Sequence, residues 1–379
     1  MTKRKKARSK HPSYPRKAGR RQNKLTRISI LTLFIVAIEV IGLNIWLRTT
    51  QPVMSVLALN SSSVLAPPNS LPARYTAPYV DLTQPPVFSM TQAAKDTGQK
   101  YWAMAFITSK PKCTASWGGG SSVASSRLGV DDLQSLRGLG GEAIVSFGGA
   151  GGVELAQSCS SVNSLEDQYK MVISKYKVAH LDFDIEGAAT ADKTSITRRN
   201  QAIADLQKNW ASANGYNLVV SYTLLVQTTG LPADSLAVLK DAVATGVVVS
   251  RVNIMAMDYG KADLPKPQGK MGAAAIQAAQ STFGQLKNLF AGYSDSRVWT
   301  TIGLTPLIGL NDVKDEIFYQ ADARQVLAFA QNQNIGMLSF WAGQRDWQCP
   351  KPVKRAVGYC SGITQTKYEF TTIFEPFSQ

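Results

Sequence analysis

From Tyr75 to the C-terminus the chain alternates between two textures. Short apolar or alternating runs are separated by stretches in which apolar residues recur every three or four positions. The first texture is the period-2 signature of strands and the second the period-3.6 signature of helices. Strands are predicted at 79–82, 101–107, 142–147, 180–186, 218–224, 251–257, 298–304 and 336–341. Helices are predicted between them. Segment 129–139 opens with Val130-Asp131-Asp132, which places acids in a first turn, and 165–176 brings Tyr169, Val172, Ile173 and Tyr176 onto one face. In 194–210, Ile203, Leu206 and Trp210 fall at helical spacing; further helices run from Pro232 to about 245, over 272–290 and over 319–333. Pro232 suits a helix start, where its missing N–H is not needed.

Strand–helix alternation of this kind implies parallel strands joined by helical crossovers. Eight such units in roughly 300 residues match a closed (β/α)8 barrel, the TIM-barrel architecture, in count and size. An open doubly wound sheet would place a glycine-rich phosphate turn after its first strand, and that strand runs instead into Thr83-Gln84-Pro85-Pro86.

The N-terminal part reads differently. Residues 28–47 form one apolar run, ISILTLFIVAIEVIGLNIWL, long enough at about 1.5 Å per residue to span a hydrocarbon core of roughly 30 Å. The expected organisation is a basic cytoplasmic tail at 1–27, a transmembrane anchor or signal segment at 28–48, a Ser/Pro-rich linker at 49–74 and a catalytic barrel at 75–379. Positive charge before the run orients it with the barrel outside the cell. An uncleaved cell-membrane anchor is the favoured reading; a secreted protein cleaved at Val56-Leu57-Ala58 or Val64-Leu65-Ala66 is the alternative.

Charge changes this picture little. The net charge is +15, but twelve of the 41 Lys and Arg residues lie in the first 27 positions, where there is no acid. The remaining 29 face 26 acidic residues, so the body is nearly neutral and no nucleic-acid partner is expected. The four cysteines, Cys113, Cys159, Cys349 and Cys360, all follow the apolar run. An even count in an oxidising compartment suggests two disulfides, and the spacing fits no zinc pattern. Cys113–Cys159 would pin the loop after the second strand to the region after the third. Cys349–Cys360 would tie the eighth-strand loop to the last helix.

Candidate chemistry concentrates in His180-Leu181-Asp182-Phe183-Asp184-Ile185-Glu186-Gly187. On a strand Asp182, Asp184 and Glu186 share one face, and Leu181, Phe183 and Ile185 the other. In a barrel the apolar set packs on the helices while the acids step up the lumen towards the C-terminal mouth. Stacked carboxylates raise one another's pKa values, which a general acid working near neutrality requires. Three acids can also bind Mg2+ or Ca2+, but such cages draw ligands from several loops, and no metal or other cofactor is expected. A solvated acidic edge strand is the bland alternative, which Phe183 and Ile185 disfavour. His180 has no Ser or Cys nucleophile partner and reads as a strand-end residue.

This segment resembles the active-site strand of glycoside hydrolase family 18, D-x-x-D-x-D-x-E, at its last three acids; Ala179 stands in place of the first. Ser146-Phe147-Gly148-Gly149 is similar to the family's S-x-G-G, and Met257-Asp258-Tyr259 to its M-x-Y, although Gly260 follows where Asp or Asn is common. Trp341 sits where the eighth strand usually ends in tryptophan. The resemblance implies an endo-acting chitinase that hydrolyses β-1,4-linked N-acetylglucosamine by a retaining, substrate-assisted route, most similar to bacterial secreted chitinases. It implies Glu186 as the acid, Asp184 orienting the 2-acetamido N–H, Asp182 sharing a proton with Asp184, and Tyr259 donating to the acetamido oxygen. Trp341 would floor the reacting sugar, with Met257 and Asp258 beside it. Gly148 and Gly149 would leave room for sugar or for the neighbouring strand. The residues agree with this: Asp184 and Glu186 stand about 6.6 Å apart on one wall, so the strand supplies no carboxylate across the sugar from the acid. Trp117 and Trp347 are candidates for extending the cleft. The expected partner is chitin or a chito-oligosaccharide, bound by a monomer; an endo-β-N-acetylglucosaminidase on N-glycans, a non-hydrolytic sugar-binding protein and a cell-wall assembly scaffold are the competing readings.

Overall fold

A computed structural model of the chain describes residues 68–378. The tail, the apolar run at 28–48 and most of the linker lie outside the described residues. Among the described residues no helix is long and apolar enough to cross a membrane.

The body is an α/β fold built on one curled, parallel sheet. Its strands are β1 (Tyr75–Thr76), β2 (Tyr79–Asp81), β3 (Tyr101–Lys110), β4 (Thr114–Trp117), β5 (Glu142–Gly148), β6 (His180–Ile185), β7 (Val219–Leu225), β8 (Val249–Met255) and β9 (Ile302–Thr305). A small hairpin, β10 (Gly309–Leu310) and β11 (Ile317–Phe318), precedes the last strand, β12 (Met337–Leu338). The sheet order is β1-β12-β9-β8-β7-β6-β5-β3-β2, with β4 folded back antiparallel on β3. Both ends of that order belong to one segment. Ala77 N–H donates to the Leu338 carbonyl at 2.9 Å and Tyr79 N–H to that of Phe340 at 3.1 Å, while Ala103 N–H donates to the Pro78 carbonyl at 2.9 Å. Residues 75–82 are thus bonded on both edges, and the sheet curls back onto its own first segment in a TIM-barrel-like way.

Helices alternate with these strands: α1 (Met90–Thr97), α2 (Val130–Gly138), α3 (Val162–Tyr176), α4 (Lys193–Asn214), α5 (Ala233–Thr245), α6 (Met271–Leu289), α7 (Gln320–Gln333) and α8 (Glu369–Phe374). The main core lies between sheet and helices. There α3 buries Leu165, Tyr169, Val172, Ile173 and Tyr176, and Tyr169 packs edge-on against Phe147 of β5 and Phe183 of β6.

The structure corrects three strand boundaries. Residues 298–304 are not one strand: Ser294 Oγ accepts the Arg297 N–H at 3.2 Å, which nucleates a short helix, Asp295–Thr301, before β9 begins. The β-branched run Val298, Thr300, Thr301 mimics a strand, but capping and burial of Val298 decide for the helix. β8 ends at Met255, two residues earlier than predicted. The eighth strand pairs only at Met337–Leu338, and its extension is held by single bonds such as Trp341 N–H to the Pro306 carbonyl at 2.9 Å. Helix α1 and both hairpins went unpredicted, and the last helix, α8, was expected without a range. The two disulfides, Cys113–Cys159 and Cys349–Cys360, pair as expected.

Candidate active site

Strand β6 turns Leu181, Phe183 and Ile185 into the outer core and Asp182 and Asp184 inward, with Glu186 just past its C-terminal end. Asp182 is buried among four hydroxyl donors. Tyr79 (2.8 Å) and Ser146 (2.7 Å) bond one oxygen; Ser221 (2.7 Å) and Thr223 (2.8 Å) bond the other. Burial raises its pKa, and the four hydroxyls pull it part of the way back. The network runs on through Asn253 Nδ2, which donates to Thr223 at 3.0 Å, and Thr305, which donates to Asn253 Oδ1 at 2.8 Å. Five strands thereby position one carboxylate.

Asp184 differs: its Oδ1 is buried and has no hydrogen-bond partner. Burial, then the neighbouring charges of Glu186 and Asp182, push its pKa well above the usual range. Glu186 is pushed up to about 7 by burial and by Asp258, against a hydrogen bond with Asp184. At neutral pH this pair shares a proton rather than carrying two full charges.

Both acids open into a cleft of about 210 Å3 at the C-terminal end of the strands. Asp258 and Asp312 add acidic lining, and Phe106, Met255, Met257, Leu307 and Trp341 supply the apolar wall. Trp341 is half-buried and stacks on Phe106, with ring centroids 5.3 Å apart and planes 11° apart. The indole therefore presents a flat apolar face of the kind that packs on a sugar ring.

The glycines of the Ser146–Gly149 motif serve packing rather than substrate. A Cβ on Gly148 would lie 2.0 Å from the Asp184 carbonyl, and one on Gly149 2.6 Å from the Phe106 ring. Their room is taken by the neighbouring strand and by the stacked pair.

Tyr259 is the clearest correction. Its hydroxyl is sealed from solvent without a partner, and the residue does not line the cleft. The reason is local. β8 has already ended, Asp258 takes a left-handed φ of 50°, and Glu316 accepts the N–H groups of Tyr259 (3.0 Å) and Gly260 (2.8 Å), turning the ring into the core. Met255, Met257 and Asp258 reach the cleft instead. Asp258 is fixed by the Val313 N–H at 2.9 Å, and burial raises its pKa.

Trp117 is a core residue whose Nε1 donates to the Tyr176 hydroxyl at 2.7 Å. Trp347 stands partly exposed in a separate groove with Phe88 and Tyr359. His180 lies at the far end of β6, where burial and Arg251 lower its pKa to about 4. Among the described residues no group of three or more His, Cys, Asp or Glu is placed to hold a metal ion. Sequence reasoning missed Tyr79, Phe106, Thr223 and Asp312. Asp312 had a usable signal, an acid just after the seventh strand of a barrel; the others read only as strand residues.

No family model matches the chain. The catalytic domain of a hyperthermophilic chitinase from Pyrococcus furiosus superposes with a TM-score of 0.73 at 32% identity, over 82% of this chain and 96% of that one. Catalytic-site mutants of the same chitinase, complexed with chito-oligosaccharides, superpose at 0.71. A probable bifunctional chitinase/lysozyme from Escherichia coli is 35% identical over 83% of this chain, and endochitinase 11 from Metarhizium anisopliae 36% identical over 74%. The chain spans 35% of the first curated relative's length and 54% of the second's. With near-complete coverage of the archaeal domain at that identity, and the acids of β6 at the mouth of the cleft, the chain belongs to glycoside hydrolase family 18 and is chitinase-like within it.

Proposed function

We propose that this protein is an endo-acting chitinase, hydrolysing β-1,4-linked N-acetylglucosamine chains with retention and with the substrate's own acetamide as nucleophile. The observation that carries this is Glu186 at the cleft mouth with its pKa raised to about 7, paired with Asp184. A carboxyl group of that pKa is half protonated at neutrality, as a general acid must be. The P. furiosus complexes with chito-oligosaccharides support the substrate class.

Glu186 gives its proton to the glycosidic oxygen as the C1–O bond breaks, and the acetamido oxygen closes on C1 to form an oxazolinium ion. Asp184, whose Oδ1 has no other partner, accepts the acetamido N–H and faces the developing cation. Asp182, on the same strand and held by four hydroxyl donors, fixes the place of Asp184 and adds negative charge beneath the developing cation. Water then attacks C1, its proton returns to Glu186 and the acetamide is restored. Trp341 on Phe106 floors the reacting sugar. The expected anchor at 28–47 would hold this activity at the outer membrane surface; recovery of the whole protein from the membrane fraction, rather than the medium, supports that placement.

The experiment is proton NMR of fresh hydrolysate from chito-oligosaccharides. The first product should be the β-anomer, and oligomers with a free 2-amine at the cleavage subsite should stay intact. An initial α-anomer would mean direct attack by water. Cleavage of the 2-amine substrate with retention would make a protein carboxylate the nucleophile instead, with Asp258 and Asp312 of the cleft lining as the candidates off β6.

A further inference from the structure

At the opposite face, among the N-terminal ends of the strands, a cavity of about 450 Å3 is lined by Arg74, Arg251 and Arg297 with Thr300, Asn334 and Ser378. Among the described residues no carboxylate lines it and none of the three arginines enters an ion pair. In a body whose charges nearly balance, three unneutralised guanidinium groups around one hollow call for an explanation.

Their geometry supplies it. Each lies over an aromatic ring: Arg74 over Phe377 at 5.4 Å, Arg251 over Tyr75 at 5.6 Å and Arg297 over Tyr293 at 5.4 Å. Stacking holds the planar group in place while leaving in-plane N–H donors unused. Arg251 donates to the Ala73 carbonyl at 2.7 Å and the Ser250 carbonyl at 2.8 Å, and Arg74 to Asn334 Oδ1 at 3.3 Å. Of the five donors on each guanidinium, most stay free on Arg74 and Arg297, while Arg251, with two carbonyl bonds and a buried Nε, keeps fewer. Stapling of the barrel base accounts for the two carbonyl bonds of Arg251, but not for Arg74 and Arg297, whose forks meet no backbone carbonyl or acid among the described residues. A fixed, uncompensated set of forks with hydroxyl and amide groups beside it is the recognition chemistry of a tetrahedral oxyanion.

The geometry points to a phosphate-binding site, built from Arg74, Arg251 and Arg297, that takes a phosphate group either free or on an anionic lipid headgroup. The site lies beyond the hydrolytic reading and does not depend on it.

Full-length protein is titrated calorimetrically with inorganic phosphate against chloride of equal ionic strength, and mixed with phosphatidylglycerol or phosphatidylcholine vesicles. Arg297→Glu is the main variant because Arg297 is exposed; Arg74→Gln is the second, and Lys208→Glu on the surface of α4 matches the charge change elsewhere. Saturable phosphate binding should weaken by at least about tenfold in Arg297→Glu and fall in Arg74→Gln, but persist in Lys208→Glu. Chito-oligosaccharide hydrolysis should be the same in all of them. Loss of vesicle binding specific to the two arginine variants, without free-phosphate binding, assigns the site to a lipid headgroup; the converse assigns it to a soluble phosphate. Absence of both kinds of binding in the wild type, or equal weakening by Lys208→Glu, overturns the proposal.

Discussion

Glu186 is held in its acidic form by its surroundings, and that has consequences for both rate and stability. Its folded pKa of about 7 stands above the ordinary 4.5. The folded state therefore favours the protonated side chain, and the associated stability is fully present below pH 4.5 and lost as pH rises through 7. Glu186→Gln should abolish turnover while keeping oligosaccharide binding. It should also melt higher than wild type at pH 8, by an increment of at most about 3 kcal/mol, with the gap closing towards pH 4.5. Melting curves across that range check it, and a variant no more stable at pH 8 would remove the raised pKa from the argument. Asp258 is the largest charge contribution to that shift. Asp258→Asn should accordingly move the alkaline limb of kcat/KM below pH 7, and an unmoved limb would sever the two groups. The acids of β6 were legible because strand periodicity places alternate residues on one face. Tyr259 was misread because a three-residue pattern cannot show that the strand stops at Met255 and that Glu316 reverses the chain.

Between strands, packing rather than pattern decides what reaches the cleft. Gly149, just past the end of β5, has φ of 85°, and the space beside it is filled by the Phe106 ring, which in turn supports Trp341. Gly149→Ala should destabilise the fold by about 1–2 kcal/mol from backbone strain alone, and more from the displaced ring. It should also raise KM as the apolar floor shifts. Gly151→Ala, in the same loop with nothing within 4 Å, should be near neutral in both respects. Equal effects from the two would show that the loop backbone matters and the Phe106 contact does not. Element type was legible wherever apolar periodicity was long, as in α3 and α4. It failed at 298–304, where helix and strand follow within eleven residues, Asp295–Thr305, and only the Ser294 cap marks the change.

The whole molecule closes through contacts that periodicity cannot show. Eight strands and six of the helices that alternate with them were legible and implied a barrel. The seam, where residues 75–79 meet β12 and the C-terminal segment, depends on partners about 260 to 300 residues away. The C-terminal segment latches that seam: the Thr76 hydroxyl donates to the Phe374 carbonyl at 2.8 Å, and Thr76 N–H to Ser378 Oγ at 2.7 Å. One buried carboxylate, Asp346, secures the segment. It accepts the N–H groups of Phe370 (3.0 Å) and Thr371 (2.7 Å), the Thr371 hydroxyl (2.7 Å) and Gln365 Nε2 (2.7 Å). Removing it would leave several buried donors unpaired at about 1–3 kcal/mol each. Asp346→Ala should therefore cost about 3 kcal/mol or more, read as a fall in denaturation midpoint, and Asp346→Asn less because one acceptor remains. Hydrogen exchange locates the loss. If Asp346 latches the seam, amides of β1, β12 and α8 lose protection together, since releasing α8 strips Thr76 of its partners. Faster exchange in α8 alone, with β1 and β12 unchanged, would show that the sheet closes without its C-terminal latch.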